Sequence, residues 1–253
     1  MIAPSREKSR RLDGKAAGVL FYKKKNGGER VSLERLLEIR PGVTAVMGGG
    51  GKTTLLRTLG EELAQHSRVL LCTTTKMFPY EDLPCAGNGA ELEQLRRQHA
   101  LLCAGTEVPG TGKIMAPEVD MAQLAAWFDY VLVEADGSAQ LPLKAHAPHE
   151  PVIPPQANQT ICVVGASGFG ARICDAAHRA ERYGELAGVS PDSVVTPEIA
   201  AAVLMAEGLH TRIYVNQLDA VSDLAPVERL AALTDCPVVA GSLWKGEYFV
   251  CSF

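Results

Sequence analysis

Apolar residues fall into two patterns along the chain. One is the short unbroken run expected of a strand buried on both faces; the other recurs at three- and four-residue spacing, as on one face of a helix. Unbroken runs lie at 43–47, 69–73, 101–104, 130–134, 160–164, 212–216 and 237–240. Helical spacing covers 32–39, 52–65, 91–98, 121–128, 175–186, 197–206 and 225–233, and Leu55, Leu56, Leu59 and Leu63 make its clearest stripe. Residues 105–115, rich in Gly and Thr, read as a hairpin or loop. Strands alternating with helices predict an α/β fold of three layers, a mostly parallel sheet with helices on both faces.

Composition narrows the classes. In 253 residues, 47% hydrophobic and 21% charged content is that of a globular enzyme. No apolar run approaches the ~18 residues of a membrane span. The apolar stretch 16–22 runs into Lys23, Lys24 and Lys25, so a signal peptide is not expected. The seven cysteines include no C-x-x-C pair, which argues against a zinc ribbon or disulfide framework and for a reducing compartment; a cytoplasmic location is expected.

Residues 1–30 carry nine Lys/Arg against three Asp/Glu, a balance of +6 in a chain of net charge −4, which leaves about −10 for the rest. An acidic body excludes nucleic acid as the main partner. Residues 1–30 are expected to be a basic, disordered extension, and 31–253 a single domain.

The chemistry begins at Gly48, Gly49, Gly50, Gly51, Lys52, Thr53 and Thr54, between a strand pattern and a helix pattern. A phosphate chain needs backbone N–H groups turned inward, which glycine allows, and the following helix directs its positive end at the same anion. Lys52 would reach the β/γ-phosphates, and Thr53 would offer its hydroxyl to Mg²⁺. The fold predicted is therefore that of a P-loop NTPase. The loop departs from both common forms. Val46 stands at the first glycine of G-x-x-x-x-G-K-T, and Met47 replaces the leading lysine of the K-G-G-x-G-K-T-T variant. A homodimer is a candidate assembly, but activation by a lysine donated across it is doubtful without that lysine.

Three other strand ends carry candidates. Glu134, closing the run 130–134, takes the position of an acid that holds Mg²⁺ or polarises water, with Asp136 as a second candidate for catalysis and metal binding. Thr75 and Lys76 follow the strand at 69–73, where ligand-facing loops lie; β-forming threonine beside a solvated lysine is the other reading. Asn216 and Asp219 resemble the N-K-x-D guanine reader with Gln217 for lysine, which favours GTP over ATP, although a plain turn and cap fits the same residues. A Pro-rich stretch holds Lys144, His146, His149 and Glu150; without cysteine partners a surface loop is the better reading for His146. His178 and Arg179 read as an anion contact or as solvated helix residues.

Together the glycine loop, Thr73–Met77, Val133–Ser138, the stretch Leu141–Pro154, His178-Arg179 and Thr196–Ala200 resemble the YqeC-type accessory proteins of selenium-dependent molybdenum hydroxylases. The resemblance runs from about residue 32 to the C-terminus. It implies a role in maturing a molybdenum enzyme, its cofactor or its selenium or sulfur ligand, and so a molybdenum cofactor or hydroxylase client as partner. Three readings follow: an Mg²⁺-dependent NTPase using Lys52, Thr53 and Glu134/Asp136, a P-loop transferase acting on a molybdopterin-type precursor, or a nucleotide-gated delivery module with negligible turnover.

Overall fold

The computed structural model describes residues 18–22 and 32–252. In chain order, β1 (Gly18–Tyr22) and α1 (Leu33–Leu36) precede β2 (Gly42–Gly48), α2 (Lys52–Leu63) and β3 (Val69–Thr73). Then come β4 (Lys76–Met77), β5 (Cys85–Ala86), α3 (Gly89–Leu95), β6 (Leu101–Ala104), β7 (Thr106–Val108), β8 (Lys113–Met115), α4 (Met121–Trp127) and β9 (Tyr130–Glu134). The second half holds β10 (Leu143–Lys144), β11 (Ala157–Gly165), α5 (Ile173–Ala176), β12 (Ala177–His178), α6 (Ala180–Ala187) and α7 (Pro197–Glu207). It ends with β13 (Arg212–Asn216), α8 (Ala225–Leu233), β14 (Val238–Ser242) and β15 (Glu247–Ser252).

One sheet dominates, in the order β1-β15-β14-β13-β11-β2-β9-β3-β6-β5. The eight strands from β14 to β5 are parallel; β15 runs antiparallel to β14 and to β1. Successive residues of a strand point to opposite faces, and both faces are covered. From β2, Val46 packs with Leu55, Leu56, Leu59 and Leu63 of α2, while Met47 packs with Val203 and Leu204 of α7 and Leu230 of α8. Val43 joins Leu124 of α4 and Leu92 of α3. The expected three layers around a mostly parallel sheet are thus present.

Capping follows from local residue choice. Asn88 and Asp120 accept amide hydrogens at the starts of α3 and α4. Thr196 caps α7, Pro197 opens it, and Gly208 closes it in the left-handed conformation.

Two expectations need correction. The helix read at 175–186 is two helices separated by β12, which pairs with β10 through Leu143–Ala177 and Lys144–His178. Arg179, at φ +64°, makes the break. The apolar spacing runs across it because both pieces pack the same core; a left-handed non-glycine residue leaves no mark in that spacing. The expected hairpin at 105–115 forms as β7 and β8, but β8 also pairs with β4, making a three-stranded sheet that holds Lys76. Gly18–Tyr22, inside the segment set apart from sequence, pairs with β15; the rest of that segment lies outside the described residues.

Because α2 carries the glycine loop's exit, its seating matters to everything downstream. Leu59 is fully buried. Leu59→Ala is expected to cost about 2–5 kcal/mol, seen as a lower urea midpoint at unchanged slope.

Candidate functional site

From β2 the chain winds one way through β3, β5 and β6 before returning to β9; afterwards β11, β13 and β14 build the other side. Beyond the carboxyl end of β2, where the strand order reverses, lies the crevice in which such sheets bind ligands. The glycine run enters there. Gly48, Gly50 and Gly51 have φ of +96°, +84° and +120°. A Cβ on Gly51 would stand 2.5 Å from Asn216 Nδ2, and one on Gly50 2.6 Å from the Gly165 backbone. No other residue fits this path.

The loop's amides divide into two sets. Gly48 N–H donates to Asp136 Oδ2 (3.0 Å), Gly49 N–H to the Val163 carbonyl (3.0 Å) and Gly50 N–H to the Leu141 carbonyl (3.0 Å). The amides of Lys52, Thr53 and Thr54 open α2, where helix geometry provides no acceptor, and Gly51 brings no side-chain cap. The anion-ready part of the motif is therefore its second half.

The two acids sort by partner. Glu134 Oε2 accepts from Thr53 Oγ1 at 2.7 Å. Burial raises its carboxyl above the usual range, Asp136 adds to this, and Lys52 and Thr53 only partly offset it. Asp136, fully buried, accepts from Gly48 N–H and from His146 Nε2 (2.6 Å), and faces Lys52 Nζ at 3.0 Å and Lys144 Nζ at 3.2 Å. Burial pushes this carboxyl up, but the His146 hydrogen bond, Lys52, Lys144 and the Gly48 amide outweigh it and hold the group at about 2. Lys52 also donates to the Gly48 carbonyl (2.7 Å).

His146 is not in a surface loop, contrary to expectation: it is buried between two carboxylates. Its Nδ1 meets Glu207 Oε2 at 2.7 Å and its backbone N–H donates to Glu207 Oε1 at 2.6 Å. Burial lowers the imidazole's affinity for protons, yet Asp136 and Glu207 together raise it above the ordinary value. Proline density signalled a loop, but its depth depended on Glu207, more than sixty residues later at the end of an apolar helix. Glu207 was missed; its one sequence signal is an acid closing the apolar run that follows Glu198. Next to this pair, Lys144 bonds Glu150 and the Gly137 carbonyl, and Glu150 bonds Arg179. Burial raises the Glu150 carboxyl, but Lys144 and Arg179 bring it below its usual range. His149 is exposed.

The remaining candidates lie at the rim. Thr75 N–H donates to Thr73 Oγ1 (3.0 Å), and Thr73 in turn donates to the Glu134 carbonyl. Lys76 and Thr54 are exposed. Buried Asn216 donates to the Gly50 carbonyl (2.8 Å) and accepts from Leu243 N–H (3.2 Å), so it ties the glycine loop to the turn after β14. Asp219 is exposed in the turn after β13.

These residues fit a magnesium nucleotide. Thr53 and Glu134 supply adjacent hard oxygens, a cation would offset the burial that disfavours the charged form of Glu134, and α2 presents uncapped amides.

The His146 pairing predicts a pH signature. The raised imidazole stabilises the fold fully below the ordinary 6.5 and loses this as pH rises through its folded value. Asp136 contributes fully above 3.8 and loses this as pH falls toward about 2. The pairing is complete between those ordinary values. His146→Gln should destabilise by about 3–5 kcal/mol and flatten the alkaline fall in urea midpoint that the unaltered protein shows.

Comparison with known proteins bears on the family of the chain. A family model described as YqeC protein matches residues 44–181, which span the glycine loop, both acids, the His146 loop and Arg179. A protein of Escherichia coli (strain K12) described as "Uncharacterized protein YqeC" is 35% identical over 165 residues, 62% of this chain. The match covers 64% of that relative, under two thirds of its length. A crystal structure of the signal recognition particle 54 kDa protein from Aeropyrum pernix K1 in complex with GDP is 15% identical, with TM-score 0.38 over 83% of this chain and 43% of that one. At that score the likeness bears on neither fold nor ligand. The match over 44–181 covers more than half of the sequence: the chain belongs to the YqeC family.

Proposed function

We propose that the protein binds a nucleoside triphosphate with Mg²⁺ at the β2–α2 loop and hydrolyses it in the service of molybdenum-enzyme maturation. The observation that carries this is the convergence of uncapped α2 amides, Lys52 and the Thr53–Glu134 pair at one strand end. Lys52 lies 3.0 Å from Asp136 and would neutralise phosphate charge after leaving that carboxylate. Thr53 and Glu134 would hold the cation, which supplies charge stabilisation to the transferring phosphoryl group. Asp136 is better suited to holding Lys52, Lys144 and His146 in place than to ligating metal, because those cations already surround it. The maturation role rests on the sequence resemblance to accessory proteins of selenium-dependent molybdenum hydroxylases, with the molybdenum cofactor or a hydroxylase as client.

GTP is favoured over ATP by Asn216 and Asp219, the one tied to the loop and the other exposed in the turn after β13. A nucleotide-gated delivery module is the second reading, favoured by the chain of contacts from Lys52 through Asp136 and His146 to Glu207 on α7. In that reading a shift of Lys52 toward phosphate reaches α7 with little turnover. The transferase reading has less support, because Lys144 and Arg179 both bond Glu150.

Thermal unfolding with GTP, ATP and their diphosphates, each with and without Mg²⁺, tests the proposal. A bound nucleotide at a hundredfold excess over Kd should add about 2.7 kcal/mol. Glu134→Gln should abolish the Mg²⁺-dependent part, and Lys52→Ala the response itself. The proposal fails if no nucleotide shifts the unaltered protein. Release of labelled γ-phosphate over many turnovers separates hydrolysis from the gated module.

A further inference from the structure

At the amino ends of the strands, away from the glycine loop, a second group of chemically active side chains converges. β13 and β14 pair in parallel with Ile213 opposite Val238, so the segments leading into them run side by side. His210 precedes Ile213 by three residues, and Asp235 and Cys236 precede Val238 by three and two. Pro237 holds the approach, its carbonyl accepting from Ile213 N–H at 3.1 Å. One imidazole nitrogen, one carboxylate oxygen and the thiol sulfur all lie within 4.8 Å of one another. Among the described residues, neither hydrogen bond nor ion pair joins the three.

We infer that His210, Asp235 and Cys236 form a binding site for a zinc-class transition-metal ion. Nitrogen, oxygen and sulfur from three residues are the ligand types of a tetrahedral Zn²⁺ site with one open position. The thiolate and imidazole select against Mg²⁺ and Ca²⁺, which take oxygen ligands. Bond lengths of about 2.0–2.3 Å around a tetrahedral ion place ligand atoms roughly 3.3–3.8 Å apart. Closing from 4.8 Å therefore needs side-chain shifts on the order of 1 Å, within reach of a half-buried histidine and cysteine and an exposed aspartate. Water or a partner's side chain would complete the shell, since Asp235 is exposed. His210 stands six residues before Asn216, about 20 Å of extended chain from the nucleotide end. The three residues fall beyond the matched span 44–181.

Titration of chelator-treated, full-length protein with Co²⁺, followed by ultraviolet and visible absorption, tests the inference. The expected result is one equivalent bound with a thiolate-to-cobalt charge-transfer band. Cys236→Ser should abolish the band, and His210→Ala and Asp235→Asn should each weaken binding at least about tenfold. Cys174→Ser, which removes an exposed thiol elsewhere, should leave the band intact. Ion held at Thr53 and Glu134 has oxygen ligands alone and gives no such band, so the result is independent of the nucleotide proposal. Asp235 is exposed, so its variant keeps the test open should the others fold poorly. Absence of the band, or its persistence in Cys236→Ser, overturns the inference.

Discussion

A carboxylate with no access to water must be matched by positive charge or hydrogen-bond donors, since an unpaired one is strongly destabilising. Asp136 meets that condition with partners from four places: the Gly48 amide at the loop, Lys52 at the start of α2, Lys144 on β10 and His146 beyond it. Each partner has a second contact further out. Lys52 holds the Gly48 carbonyl, Lys144 reaches Glu150 and through it Arg179, and His146 reaches Glu207. Elements distant in sequence thus meet around one group, and its loss would leave two lysines and an imidazole without a shared counter-charge.

Parallel strands buried on both faces were legible because their apolar runs cannot belong to anything exposed. The glycine loop was legible because its chemistry is local, since each residue's part follows from its neighbours. The network around Asp136 was not, for the opposite reason. Whether His146 is exposed depends on Glu207, and whether Lys144 is free depends on Glu150 and Arg179. Pairing across such separations leaves no periodicity. Strand β15 was missed for a related reason: its run mixes polar with apolar residues, and its place comes from antiparallel pairing with β14 and β1.

Met47 shows how a departure from a motif can have a packing meaning. In the lysine-led variant its position carries charge; here it lies buried among Leu143, Val203 and Leu230. A lysine there would bring a charge into that apolar packing. Positive charge near the loop comes instead from Lys52 and Lys144, both within 3.2 Å of Asp136.

Four consecutive glycines would ordinarily make a wandering segment, since glycine has the most conformational freedom to lose. Here every link but the last is fastened from outside: Gly48 by Asp136, Gly49 by Val163, Gly50 by Leu141 at its amide and by Asn216 at its carbonyl. The ordering entropy of the loop is thus met by folding rather than by a ligand. A preorganised cradle leaves more of the binding energy to appear as affinity, and under the proposed function it would make distant residues such as Asn216 and Leu141 determinants of how tightly an anion is held.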